Sequence, residues 1–106
     1  MIKEYLNNCL NTANNSSELP LVFNWILGLN GEVGELTDLI KKQYFHGHVI
    51  DPEKIKSELG DVFYYLCVLC NELGFDIEDV LLYNTEKLRK RYPNGFNSLG
   101  SINRVD

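Results

Sequence analysis

The segment from Val62 to Cys70 constrains the fold most, because every residue in it is apolar or aromatic. A helix that is apolar on all sides has to be buried on all sides. A chain of 106 residues that folds as one domain offers few places to bury such a helix. The segment therefore predicts self-association, as a homodimer or homotetramer that completes the bundle.

The spacing of apolar residues and the capping residues along the chain predict an all-α fold with about four helices. The first is expected from about Ile2 to Ala13 and the second from about Leu19 to Tyr44. The third should begin at Pro52, with Asp51 as its cap, and end near Leu73. The fourth should run to about Arg91 with Asp76 as its cap, and the polar tail from Asn97 onward is expected to be loose.

The second predicted helix carries an apolar stripe that recurs with the 3.6-residue period. The stripe consists of Val22, Ile26, Leu29, Val33, Leu36 and Ile40. Three glycines, Gly28, Gly31 and Gly34, lie in the same stretch, and each costs up to about 1 kcal/mol relative to alanine inside a helix. They predict a close backbone approach or a bend, and the alternative is that they mark a loop.

Charge and composition exclude several functional classes. The net charge of −5 argues against a nucleic-acid partner, since broad capture of nucleic acid needs a basic surface. No apolar stretch is long enough to span a bilayer, so no membrane role is expected. The charged N-terminus is unlike a signal peptide, and three cysteines without framework spacing suit a reducing compartment. A cytoplasmic location is the resulting expectation.

Two pairs of acidic residues predict a metal site. Glu32 and Glu35 are three residues apart, as are Glu58 and Asp61, so each pair shares one helix face. Each pair also flanks an apolar stripe, so antiparallel packing of the two helices would bring four carboxylates together. Oxygen ligands at this density suit hard divalent cations, mainly Mg²⁺ or Mn²⁺. The alternative is that these residues are ordinary solvated helix acids.

A diiron bundle is the nearest rival metal site. It requires Glu-x-x-His pairs. Neither His46 nor His48 lies three residues after a glutamate, and both fall in a predicted loop. Diiron chemistry is therefore not expected.

These residues resemble the MazG family of all-α nucleoside triphosphate pyrophosphohydrolases. The signature of that family is Glu-x-x-Glu on one helix followed by Glu-x-x-Asp on the next, which matches segments 28–36 and 58–66. The likeness extends to 41–48 and 84–93, so that residues 1–96 form the MazG-like domain and 97–106 a polar C-terminal tail. Gly31 stands where many members have a further glutamate, which leaves the number of bound metal ions open.

The resemblance implies hydrolysis of a dNTP or NTP to the nucleoside monophosphate and pyrophosphate, in nucleotide-pool control or house-cleaning. Mg²⁺, or Mn²⁺, would be held by Glu32, Glu35, Glu58 and Asp61. Glu35 and Glu58 would be catalytic, with Glu35 as the general base. A second enzyme hypothesis has the same reaction with one deoxynucleotide as the substrate, such as dCTP or dUTP. The alternative from another class is a non-catalytic helical dimerisation or nucleotide-sensing module.

Further residues are candidates for binding the substrate: Asn84, Lys87, Arg91, Lys41, His46, His48 and Trp25. The resemblance implies that Asn84 and Lys87 act beside the metal and the phosphates. The alternative is that Lys87 belongs to a solvated basic helix end that the helix dipole favours. Trp25 either stacks on a base or packs in the core or an interface. Cys67 and Cys70 have the spacing of a redox or zinc motif, but their apolar helix favours buried small residues.

Overall fold

The computed structural model describes residues 1–104, and in that part of the chain it contains helices and no β-strand. The helices are α1 (Ile2–Thr12), α2 (Leu21–Phe45), α3 (Pro52–Glu72), α4 (Ile77–Arg91) and a short α5 (Ser98–Ile102). The predicted all-α fold is confirmed. The chain forms two compact units, Met1–Gly74 and the part from Phe75 onward. No helix among the described residues is both long and apolar enough to cross a membrane.

The predicted helix starts rest on local capping. Asp51 accepts a hydrogen bond at 3.0 Å from the backbone N–H of Glu53, and Pro52 occupies the first helical position of α3. Asp76 caps α4 in the same way, through the backbone N–H of Glu78 at 3.0 Å. These two caps fix the beginnings of α3 and α4 where the sequence predicts them.

The three glycines lie inside one continuous helix, so the loop alternative is wrong. Only Gly28 makes the predicted close approach: a Cβ there would overlap the ring of Tyr65, whereas Gly31 and Gly34 have nothing within 4 Å. Gly28 therefore sets how closely α2 and α3 can approach each other.

The helices α2 and α3 form an antiparallel pair, which is the most extensive packing in the first unit. Trp25, near the start of α2, lies 6.4 Å from Tyr65, near the end of α3, measured between ring centroids. The first helix packs on α3, and the hydroxyl of Tyr5 donates a hydrogen bond to the carbonyl of Gly60 at 3.4 Å. Helices α1 and α2 thus both rest on α3.

The core of the first unit is small and centres on α3. Cys67 and Val68 are each 2% exposed, and Cys9 and Trp25 are each 4% exposed. Phe63, in the same apolar segment as Cys67, is 59% exposed. The chain therefore buries only part of the segment that the sequence expects to be buried all round. The predicted self-association would cover the rest, and it stays a prediction.

The end of the chain differs from the expectation. The tail is not devoid of regular structure, because Asn97 caps the short helix α5 by accepting a hydrogen bond from the backbone N–H of Gly100 at 2.6 Å. The ring of Tyr92 packs against that of Phe96 at 5.2 Å just before it. The last two residues of the predicted tail, Val105 and Asp106, lie outside the described residues.

Candidate metal centre and adjoining groove

Three carboxylates from two helices meet in the first unit. Glu32 of α2 and Glu58 and Asp61 of α3 each offer one oxygen, and these oxygens all lie within 4.8 Å of one another. The three-residue spacing puts Glu58 and Asp61 on one face of α3, and the antiparallel packing brings Glu32 opposite them. Glu32 and Glu58 are half-buried, and Asp61 is exposed.

The half-buried acids of this centre lack partners for part of their hydrogen-bonding capacity. Oε2 of Glu32 and Oε2 of Glu58 are inaccessible to solvent and accept no hydrogen bond within the described chain. Burial raises the pKa of Glu32 from 4.5 to about 7, together with a side-chain hydrogen bond that the protonated form shares with Glu58 and repulsion from carboxylates such as Glu35. Such a site is costly to leave without a counter-charge.

A divalent cation would meet both deficits. It would supply a partner for the two buried oxygens and positive charge for the clustered carboxylates. All the donors are carboxylate oxygens, which is the chemistry that Mg²⁺ and Mn²⁺ prefer over softer metals. The residues present therefore fit the predicted metal.

Glu35 stands apart from the other three predicted ligands. It lies three residues beyond Glu32 on α2, and it is exposed. It is not one of the three carboxylates that meet, although its charge contributes to the raised pKa of Glu32. The structure thus brings together three of the four acids, and the fourth, Glu35, lies three residues beyond Glu32 on α2.

An open groove of about 630 Å³ borders the centre. It is lined by Tyr5, Asn8, Cys9, Thr12, Glu32, Gly60, Asp61, Tyr64 and Tyr65. One wall comes from α1, and the other carries two of the clustered acids and a pair of tyrosines in edge-to-face contact, with ring centroids 5.1 Å apart. This groove is not among the features that the sequence predicts. The available signal was the position of Tyr65 on the same helical flank as Glu58 and Asp61.

Other predicted substrate residues of the first unit lie near the end of α2. Lys41 and Lys42 form ion pairs with Asp38, with nitrogen–oxygen distances of 3.7 Å and 2.9 Å. His46 and His48 are exposed, and their backbone N–H groups donate to the carbonyl of Lys42 at 3.0 Å and 3.1 Å. The histidine rings lie 6.5 Å apart. The loop is thus anchored by its backbone, and its imidazoles stay open to solvent.

Trp25 is 4% exposed and packs against Tyr65, which favours core packing over base stacking.

The remaining candidates for binding the substrate lie on α4 in the second unit. They are Asn84, which is exposed, and Lys87 and Arg91, which are half-buried. Their three- and four-residue spacing puts them on one face of that helix, as predicted.

A family model described as the MazG nucleotide pyrophosphohydrolase domain matches residues 24–96, which is more than half of the chain. The chain belongs to the MazG family. The MazG match includes both acidic pairs and the whole of α4, and it leaves α1, with its wall of the groove, outside the matched residues.

A relative of this MazG chain is the Gene 37 protein of Mycobacterium phage L5. The two are 33% identical in an alignment 73 residues long, which covers 65% of this chain and 64% of the phage protein. The chain therefore spans less than two thirds of that relative's length. No solved structure matches the chain.

Proposed function

We propose that the protein hydrolyses a nucleoside triphosphate, in a Mg²⁺-dependent reaction, to the nucleoside monophosphate and pyrophosphate. The observation that supports this most is the group formed by Glu32, Glu58 and Asp61, with two buried oxygens that lack a partner. The group lies on the two helices of a nucleotide pyrophosphohydrolase domain. Control or cleansing of a nucleotide pool is the corresponding role.

Glu32, Glu58 and Asp61 would hold the metal, and Glu35 would complete the set from the next turn of α2. A bound Mg²⁺ or Mn²⁺ supplies charge neutralisation for the triphosphate oxygens and lowers the pKa of a coordinated water. The half-buried carboxylates position that charge where water is partly excluded, which strengthens its interaction with phosphate.

Glu35 is proposed as the general base. It is exposed, so it can accept a proton from a water molecule at the edge of the centre. Glu58 is proposed as a catalytic ligand because one of its oxygens is buried without a hydrogen-bond partner. Asn84, Lys87 and Arg91, and the exposed loop residues His46 and His48, stay candidates for the triphosphate through the resemblance.

Self-association belongs to the same proposal. Phe63 is 59% exposed, and Phe23 and Leu27 on α2 are 55% and 71% exposed. Apolar side chains left open on two neighbouring helices favour an interface rather than a free surface. Light scattering after size exclusion should give the mass of a dimer or tetramer, and a monomer at micromolar concentration would contradict this part.

The test is a panel of the common NTPs and dNTPs with Mg²⁺, in which pyrophosphate and phosphate are detected separately. Pyrophosphate in a one-to-one ratio with the monophosphate is expected, and its production should stop in EDTA. Glu58→Gln should lower kcat by at least about a hundredfold, as expected when a ligand that stabilises transition-state charge is lost.

Glu72→Gln is the matched control, because Glu72 is an exposed glutamate on the same helix. It should retain normal turnover. If no nucleotide yields pyrophosphate, the enzyme proposal fails. Mg²⁺-dependent nucleotide binding without turnover would then support the alternative, a non-catalytic nucleotide-sensing module.

A further inference from the structure

The groove beside the metal centre is placed where the nucleoside of a triphosphate substrate has to lie. Two of the clustered acids, Glu32 and Asp61, form part of its lining. The α-phosphate of a nucleotide is joined directly to the ribose, so a nucleoside whose α-phosphate reacts at the centre must occupy the adjoining space. The groove supplies that space, and its volume of about 630 Å³ falls within the range of small-molecule sites.

The two walls of the groove differ in what they offer to a base. Tyr64, packed edge-to-face on Tyr65, gives an aromatic surface on the α3 side. On the α1 side, the hydroxyl of Tyr5 donates to Gly60, and the hydroxyl of Thr12 donates to the carbonyl of Cys9 at 3.0 Å. Both hydroxyl protons are therefore already donated to the backbone, and the two hydroxyls can offer a ligand only an acceptor.

Asn8 is the side chain of the α1 wall whose amide can both donate a hydrogen bond to a ligand and accept one from it. It is exposed to the groove, and within residues 1–104 its amide makes no hydrogen bond. A carboxamide carries both a donor and an acceptor, so it can pair with the amino or the carbonyl group on the edge of a base.

We propose that the nucleoside binds in this groove and that Asn8 determines specificity by hydrogen bonding to the amino or carbonyl edge of the base. The inference rests on the proposed function and adds the position and the selection of the base. The family-model match begins after α1, so base selection comes from a helix outside the matched domain.

The test replaces the amide by a group that only accepts hydrogen bonds. Asn8→Asp should favour cytosine, which has an amino group at C4, over uracil, which has a carbonyl group at the same position. The kcat/KM ratio of dCTP to dUTP should therefore rise about tenfold, the effect of roughly one hydrogen bond. Because the added charge acts equally on both triphosphates, a general effect on the metal centre leaves the ratio unchanged.

Asn7→Asp is the matched control, since Asn7 is the exposed neighbour on α1 and does not line the groove. It adds the same charge to the same helix and should leave the ratio of dCTP to dUTP as it is in the wild type. Equal changes in Asn8→Asp and Asn7→Asp, or no change in either, would overturn the inference.

Binding of the α,β-imido analogues of dCTP and dUTP, measured by calorimetry with Mg²⁺, separates this inference from the proposed function. A shift in relative affinity in Asn8→Asp, in a protein that hydrolyses nothing, would support base recognition by Asn8 and refute the enzyme proposal. Turnover with an unshifted ratio would refute the role of Asn8 and leave the enzyme proposal standing.

Discussion

Replacing Gly28 by alanine tests how α2 is seated on α3. The new Cβ would lie 2.5 Å from Cζ and 2.7 Å from Cδ1 of Tyr65, whereas carbon atoms in contact are separated by about 3.5–4.0 Å. The tyrosine ring would have to move by about 1 Å. It is held between Trp25 and Tyr64, so it has little room to do so.

Overpacking of this kind costs about 1–3 kcal/mol. Alanine inside a helix recovers about 1 kcal/mol relative to glycine. The expected net loss in the free energy of unfolding for Gly28→Ala is therefore about 0–2 kcal/mol. Gly31→Ala has no overlap to relieve, since nothing lies within 4 Å of that position, and should gain about 1 kcal/mol.

The difference between these two variants removes the helix-propensity term and leaves the overlap, about 1–3 kcal/mol. Urea and thermal unfolding in EDTA, at one protein concentration, should place the Tm of Gly28→Ala below that of Gly31→Ala by at least about 4 °C. Equal stability of the two variants would refute the close contact between Gly28 and Tyr65. Gly34→Ala, also without neighbours, should behave like Gly31→Ala.

Three further outcomes are expected from the charges of the metal centre. In EDTA at pH 8, Glu58→Gln should be at least as stable as the wild type, because the amide relieves carboxylate repulsion; marked destabilisation in urea would contradict the shared cluster. Mg²⁺ at a hundredfold excess over its Kd should raise the free energy of unfolding by about 2.7 kcal/mol. If the Tm measured with Mg²⁺ equals the Tm measured in EDTA, the site is not preformed. Because the folded state raises the pKa of Glu32 from 4.5 to about 7, the native protein holds a proton that the unfolded chain releases between these values. The free energy of unfolding without metal should therefore fall as the pH rises across that window, and Glu32→Gln should remove this component.

The meeting of Glu32, Glu58 and Asp61 was predictable because it depends mainly on residue spacing within each helix. A three-residue spacing puts Glu58 and Asp61 on one helix face whatever surrounds them, and the apolar stripe of α2 orients Glu32 toward the neighbouring helix. Glu32 and Glu35 share a helix face in the same way, but their spacing does not decide whether both of them reach the centre. Two residues three positions apart point about 60° away from each other around the helix, so the rotation of α2 decides which one faces α3. That rotation depends on contacts such as Gly28 with Tyr65.

The groove could not be predicted because it depends on long-range packing. The hydrogen bond from Tyr5 to Gly60 joins residues 55 positions apart, and nothing in the sequence of α1 specifies which helix it rests on. The short helix α5 was missed for the opposite reason. Its capping residue, Asn97, carried a local signal, but the polar composition around it resembled a disordered tail.

The buried position of Trp25 makes it a natural optical probe of the site. It is the only tryptophan in the chain, so its fluorescence reports on one place. Its ring lies 6.4 Å from that of Tyr65, which lines the groove, and excitation energy absorbed by the tyrosine will pass readily to the indole over that separation. A ligand that displaces the tyrosine ring will therefore change the emission of a residue it does not touch. Filling of the groove can be followed in the unlabelled protein.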